Sequence, residues 1–251
     1  MNTSSNGYVM GFAIGVCVII SAALAVTANS LKPIQDEAAE FDRQKNVMVA
    51  AGLVETGDTR SADVLKKLYV DRVQEAVVNT KSGEVLTGKS AKDAAQMNKD
   101  AAAADPSDKG AANRFRVVAT TKGADGKIEA VVLPISGKGL WSTIYGYLAL
   151  EGDLEKVRGV TFYKHGETPG LGGECENPVW CAQWKGKSIR GEGKKLVGIE
   201  VKKGKVDPTI PYDKAHRVDG LSGSTITCNG INRFVLADLT AFEGYLATLK
   251  N

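Results

Sequence analysis

Apolar and polar positions divide the chain into stretches with different periods. From Tyr8 to Ala28, YVMGFAIGVCVIISAALAVTA, there is no charged residue. A helix over this stretch, rising about 1.5 Å per residue, is about 30 Å long, the depth of one hydrocarbon core. Between Ile34 and Ala51 the residues Ile34, Ala38, Phe41, Met48 and Ala51 fall near one helical face, with Gly52 placed to end the helix. Val64, Leu65, Leu68, Val73 and Val77 predict a further helix from about Ser61 to Val78. Residues 91–112 are rich in Ala and have no aromatic, which predicts an exposed, partly helical insertion. After Asn113 the period shortens. RFRVVATT, KIEAVVLPI, STIYGYLAL, VRGVTFYKH and KLVGIEVKK are rich in Val, Ile, Tyr and Thr. They are separated by turns at Gly123-Ala124-Asp125-Gly126 and Gly152-Asp153 and by a Gly-rich loop at 166–173, and they predict a mostly antiparallel sheet. Ile231, Val235, Leu239, Phe242, Leu246 and Leu249 then step at helical spacing. The expected class is α+β: one N-terminal transmembrane helix, then helices flanking an antiparallel sheet. The expected division is a tail and anchor at 1–30, a helical region with the Ala-rich insertion at 31–112, and the sheet domain at 113–251.

Composition narrows the function. The 251 residues are 43% hydrophobic and 24% charged, with a net charge of +3 and no basic tract interleaved with aromatics, so nucleic acid is not an expected partner. With only His165 and His216, a His-rich metal site is excluded, and no metal is expected. The Tyr8–Ala28 run competes with a cleaved signal peptide, because Val26-Thr27-Ala28 resembles a cleavage site. An anchor fits better: the first seven residues lack positive charge and the run is too long for a signal core. Gly7, Gly11 and Gly15 recur every four residues, a spacing that lets a second membrane helix approach, although Gly is also common in membrane helices generally. Lys32, Arg43 and Lys45 follow the span while none precedes it, which by simple count leaves the large domain in the cytoplasm; long domains translocate regardless of such counts. Cys17 lies in the span. Cys175 and Cys181 suit either a small disulfide in an oxidising compartment or a pair of buried thiols, and are not spaced as C-x-x-C.

The candidate chemistry lies before the last helix, in Arg217–Asn229, RVDGLSGSTITCN. A helix cap accounts for one hydroxyl and one Gly of this stretch. An anion site at a helix N-terminus accounts for more, because free N–H groups and glycines let a phosphate approach the backbone. The stretch is not a Walker A loop, and Gly220-Leu221-Ser222-Gly223-Ser224 lacks the second Gly of G-x-S-x-G. His216 stands six residues before Ser222 without a supporting nucleophile pattern, and no catalytic residue is expected on this chain.

Asp219-Gly220-Leu221-Ser222-Gly223-Ser224-Thr225 resembles the flavinylation motif D-G-x-x-S/T-G-A-T of FMN-binding domains, with Ser224 where that family usually has Ala. His165-Gly166-Glu167-Thr168-Pro169-Gly170-Leu171-Gly172 resembles the E-T-P-G-L-G loop of the same domains. GKGLWSTIYGYLALEGDLEKVRGVTFYKHGETPGLGGECENPVW is similar to the C-subunit family of sodium-pumping NADH:quinone oxidoreductases, more than to the G-subunit family of the related Rnf complexes. The resemblance implies a covalent FMN, esterified through its phosphate to Thr225, with Ser222, Gly223 and Ser224 around it. It implies that Thr168, Leu171 and Trp141 wall the flavin ring and that Gly170 and Gly172 let the loop lie flat. Asp219 would position the loop, or a metal, for a separate flavin transferase, or simply form a turn. Glu167 and Lys164 would tune the flavin or be ordinary strand-end charges, and His165 would be a loop hydrogen-bonder. The implied setting is the bacterial inner membrane, single-pass, with the large domain periplasmic and other membrane subunits as partners. No NADH site is expected, since no G-x-G-x-x-G follows a strand. A different class remains, an anchored protein that binds a phosphate ligand without a covalent bond or any redox role, and so does a purely structural subunit.

Overall fold

A computed structural model describes residues 6–123 and 126–250. The first residues of the leading tail, and Ala124 and Asp125 of the expected turn, lie outside the described residues. The chain forms two compact units, one up to Arg43 and one from Gln44 onward.

In the first unit the structure departs from the expected pair of helices. A single helix α1 runs from Asn6 to Ala50, with Pro33 inside it. Every residue from Asn6 to Glu40 is exposed, apolar ones included. α1 is the one helix among the described residues that is long and apolar enough to cross a membrane. The helix continues through Pro33, so no break separates the anchor from Ile34–Ala51. The helix ends where Gly52 was expected to end it. Gly52 has φ +68°, Leu53 N–H donates to Met48 O at 2.9 Å and Gly52 N–H to Val49 O at 3.0 Å. These bonds satisfy carbonyls the last turn would otherwise leave open.

The second unit is built on a six-stranded antiparallel sheet in the order β2-β1-β3-β4-β5-β6. Its strands are β1 (Val73–Asn79), β2 (Val85–Leu86), β3 (Phe115–Lys122), β4 (Ile128–Lys138), β5 (Thr143–Glu151) and β6 (Val157–Lys164). The expected helix Ser61–Val78 is thus half wrong. Helix α2 (Ala62–Arg72) stops and Val73–Asn79 becomes a strand, because β-branched Val73, Val77 and Val78 are buried against the sheet core. The region expected to be helical therefore supplies two strands. α3 (Ala91–Ala104) is the Ala-rich insertion. Ser90 and Asp93 form its capping box, and only Ala94 of the helix is buried. Asn98 pins it to the sheet, donating to Phe115 O at 2.8 Å and accepting from Phe115 N–H at 2.7 Å.

The last strand expected, KLVGIEVKK, shrinks to β7 (Glu200–Val201), which pairs in parallel with β8 (Arg217–Val218). Two short helices, α4 (Pro178–Ala182) and α5 (Pro211–His216), lie in the segment between β6 and β8. The C-terminal stripe forms α6 (Thr225–Ala241) and α7 (Glu243–Thr248), with buried Phe242 at the joint. α6 lies on the sheet, and Ile231, Phe234, Val235 and Leu239 share the core with Leu133, Ile135, Leu148 and Phe162. A buried Arg116–Asp238 ion pair (2.5 Å) fastens α6 to β3, and the same carboxylate accepts from Ser136 N–H of β4 at 2.7 Å. On the other side of β6 the last turn of α1 is buried at Val47, Met48, Ala50 and Ala51. Arg158 Nε donates to Ala51 O there at 2.6 Å. Cys175, Cys181 and Cys228 are free thiols, and Cys181 Sγ donates to Cys175 O at 3.3 Å. Burial pushes both Cys175 and Cys181 up to about 12.

Candidate functional site

The N-terminus of α6 is open. Its first intrahelical bond runs from Cys228 N–H to Ser224 O at 2.9 Å, so the N–H groups of Thr225, Ile226 and Thr227 have no partner one turn back. Ser224 stands at the capping position but its side chain does not cap the helix. Its buried hydroxyl turns away and donates to Ser222 O at 3.2 Å. Capping therefore does not explain the hydroxyl cluster.

The four hydroxyls have distinct fates. Thr227 is buried and donates to Glu167 Oε2 at 2.7 Å. Ser224 is buried as above. Ser222 and Thr225 are exposed. Of those two, only Thr225 is in the helix, at its first position, beside the unpaired amides and the positive end of the helix dipole.

Thr225 lines a cavity of about 380 Å³. Val201–Lys205 form one wall and Gly220–Gly223 another, with Cys228 and Asn229 from α6. Lys202 is paired with Asp213 (2.5 Å) and Lys205 with Asp219 (2.8 Å). Asp219 is not a bare turn residue. Its carboxylate also accepts from Val206 N–H at 2.8 Å, its N–H donates to Gln183, and its carbonyl accepts from Trp180 Nε1 at 2.8 Å. It fixes the cavity wall. Burial raises its pKa, but Lys205 and the Val206 amide outweigh that and hold it below the ordinary value.

On the other side of α6 the Gly-rich loop approaches. Gly170 has φ +74°, a conformation that favours Gly. Leu171 and Gly173 donate N–H bonds to Thr168 O, closing the loop on itself. A side chain on Gly172 would come within 2.7 Å of Thr227 Oγ1, so only Gly lets the loop lie against the helix. Leu171 packs over Gly223, where an added Cβ would lie 3.0 Å from Leu171 Cδ2. Thr168, Leu171 and Trp141 are all exposed, Trp141 to 66%, as is Leu140 beside it.

Glu167 ties these parts together. Its Oε1 accepts from the N–H groups of Trp141 (3.0 Å) and Ser142 (3.1 Å), and its Oε2 from Leu140 N–H (3.1 Å) and Thr227. It is 5% exposed, a buried carboxylate rather than a strand-end charge. Burial pushes its pKa up; the Thr227 hydroxyl and the three amides together win, and it lies below the ordinary range. His165 Nδ1 accepts from Glu167 N–H at 3.3 Å, as a loop hydrogen-bonder should. Sequence reasoning offered Glu167 as a flavin-tuning group or a strand-end charge but missed its bonding to the 140–142 amides and Thr227, the buried state of Thr227, and the lysine-bearing wall at 202–205. A buried acid in a loop leaves no periodic signature.

A family model for the FMN-binding domain matches residues 139–239, which hold all of these groups. The C subunit of the Na(+)-translocating NADH-quinone reductase of Pseudomonas aeruginosa is 37% identical over 99% of this chain and 98% of its own. Its counterpart from Pasteurella multocida is 38% identical over 93% of this chain and 89% of its own. The crystal structure of Shewanella oneidensis NqrC superposes with a TM-score of 0.69 at 31% identity, covering 85% of this chain and 99% of that one. The corresponding C subunit from Parabacteroides distasonis gives 0.66 at 25% identity, covering 86% and 96%.

Proposed function

Because this chain belongs to the C-subunit family of the Na(+)-translocating NADH-quinone reductases, we propose that it carries FMN as a phosphoester on Thr225 and works as a membrane-anchored electron-transfer subunit. The carrying observation is the sorting of hydroxyls at α6. Two of the four are turned inward and bonded, and Thr225 alone is both exposed and at the open helix end.

The residues present fit such a group. A phosphate esterified through Thr225 Oγ1 would be a singly charged diester. The amides of Thr225, Ile226 and Thr227 and the helix dipole would hold that charge. Gly223 and Gly220 leave the backbone accessible along the cavity, and Lys203, exposed on its wall, adds positive charge beside the paired Lys202 and Lys205. Trp141, Leu140 and Leu171 offer exposed apolar surface for the flat ring beside the helix mouth. FMN, when bound, supplies the electron-carrying chemistry. The chain contributes attachment, orientation and charge. A phosphoester keeps the carrier in place without altering the ring.

α1 is the anchor in this reading, with the unit from Gln44 onward on the periplasmic side of a bacterial inner membrane. The Gly7, Gly11 and Gly15 face, with open space around each, is the approach for another membrane subunit. A flavin transferase makes the ester, and Asp219 holds the 204–206 wall in place for it.

Tryptic digestion tests the reading. Cleavage after Arg217 and Arg233 releases Val218–Arg233. From protein co-produced with a flavin transferase, this peptide is expected to carry the mass of one FMN less one water, and fragmentation is expected to place it on Thr225. An unmodified peptide, or a Thr225→Ala protein that keeps yellow fluorescence through denaturing electrophoresis, overturns the assignment. A flavin lost on denaturation instead identifies the noncovalent alternative.

A further inference from the structure

Glu167 lies at the junction of three segments, and its bonding is one-sided. The four groups bonded to its carboxylate are all donors: three consecutive backbone amides from Leu140–Ser142 and the Thr227 hydroxyl. An ionised carboxylate, acceptor only, suits that set, whereas a side-chain amide would present donors to donors. Space is fitted to the group as well. A Cβ on Gly139 would fall 2.7 Å from Oε1, and one on Gly172 would fall 3.0 Å from Oε2.

Among the described residues no Lys, Arg or His side chain forms an ion pair with this carboxylate. The charge is met by the Thr227 hydroxyl and the three amides of Leu140–Ser142. A structural clamp between two loops needs no net charge, and burying one is costly. Placed here, the charge has an electrical consequence. The carboxylate accepts from Thr227, two residues after Thr225 in α6, and from the amide of Trp141, and, buried itself, it acts on its surroundings with a field less screened than in open water. Negative charge added nearby is disfavoured.

We infer that Glu167 is a positioning residue for the cofactor: it fastens the Leu140–Ser142 turn to the first turn of α6, and its charge lowers the reduction potential of the flavin held on Thr225. This rests on the reading that FMN is esterified to Thr225. The flavin exchanges electrons with external carriers as before; Glu167 gains and loses nothing.

The test uses full-length protein co-produced with a flavin transferase and purified in detergent. The midpoint potential of the bound flavin is read by spectroelectrochemistry at pH 7 in wild type, Glu167→Gln and Glu167→Asp. Glu167→Gln is expected to shift the oxidised-to-reduced ratio at a fixed potential at least tenfold toward reduced, about 30 mV upward for a two-electron couple. Glu167→Asp keeps the charge and is expected to return most of that shift. A folded, flavinylated Glu167→Gln protein with an unchanged potential overturns the electrical half.

Thr227→Val is the second variant, for the case in which Glu167→Gln does not fold. It cuts the bond to α6 and leaves the carboxylate. Hydrogen exchange of the Leu140, Trp141 and Ser142 amides is expected to quicken at least tenfold, with β1 and β3 unchanged. Unaltered exchange at those amides overturns the bridge. The exchange readout works equally on unflavinylated protein. If the wild type itself bears no flavin, the Thr225 reading fails and the bridge is still judged on its own.

Discussion

At the scale of single residues, charges near the cavity are held by geometry rather than left to solvent. Asp213 is buried; its Oδ2 accepts from Lys202 Nζ at 2.5 Å and from Asp207 N–H, and its Oδ1 from Arg217 at 2.8 Å. The hydrogen bonds from Lys202 and then Arg217 hold its carboxyl down to about 2. A carboxylate whose folded pKa is depressed adds stability that is complete above its unfolded pKa and is lost as pH falls through the folded one. Asp213→Asn is therefore expected to melt below wild type at pH 7, with the gap closing between about pH 4 and pH 2. Circular-dichroism melts across that range check it; a gap that is constant with pH would assign the loss to shape alone. Thr225 was legible in the sequence because its chemistry is local, a run of Gly and hydroxyl residues at the head of an apolar-periodic helix. Glu167 was legible only as a member of a loop motif. Its role depends on amides some twenty-five residues earlier and a hydroxyl sixty residues later, a juxtaposition the fold alone creates.

At the scale of elements, the site depends on how closely α6 lies on the end of β4. Gly230 is the contact. A Cβ there would stand 2.4 Å from Lys138 O and 3.2 Å from Gly139 Cα, and backbone cannot move aside as a side chain tip does. Gly230→Ala, although it favours the helix by up to about 1 kcal/mol, is expected to destabilise the domain by a net of about 1–3 kcal/mol through overpacking. It should also lift Thr227 from Glu167 and so reduce flavin incorporation. Urea denaturation and the ratio of visible to protein absorbance report the two effects, and a more stable Gly230→Ala protein would mean that helix and strand are not in contact there. The same element was the easiest to read from sequence, since Ile231, Val235 and Leu239 keep one period and all three are buried. β1 was the hardest. Val73 and Val77 continue the stripe begun by Val64 and Leu65 closely enough to mimic a helix, and its burial does not alternate cleanly as a half-exposed strand's does. Pairing with β3 decides the matter, and that partner lies beyond any local window. β7 fell short of its pattern because Gly198, at φ +71°, turns the chain just before it.

At the scale of the whole molecule, α1 contributes to two units with opposite solvent requirements. Up to Glu40 its apolar side chains are bare, which suits hydrocarbon. From Gln44 its last turns belong to the globular unit, where Val47, Met48, Ala50 and Ala51 are buried and Arg158 binds Ala51 O. Removing the span alone costs that unit none of its core, so a chain beginning at Glu37 is expected to be soluble, folded and competent for flavinylation. Removing the end of the helix as well is a different change. Loss of a fully buried Met side chain alone costs about 2–5 kcal/mol. Val47, two alanines and the Ala51 carbonyl that holds Arg158 go with it. The sum approaches the about 5–15 kcal/mol by which a domain of this kind is stable. A chain beginning at Val54 is therefore expected to be insoluble or molten, with near-ultraviolet circular dichroism lost, while the chain beginning at Glu37 melts within a few degrees of the full protein. If both truncations melt alike, the end of α1 is only a tether; if they differ as expected, the segment that follows the anchor is part of the fold that holds the cofactor seat.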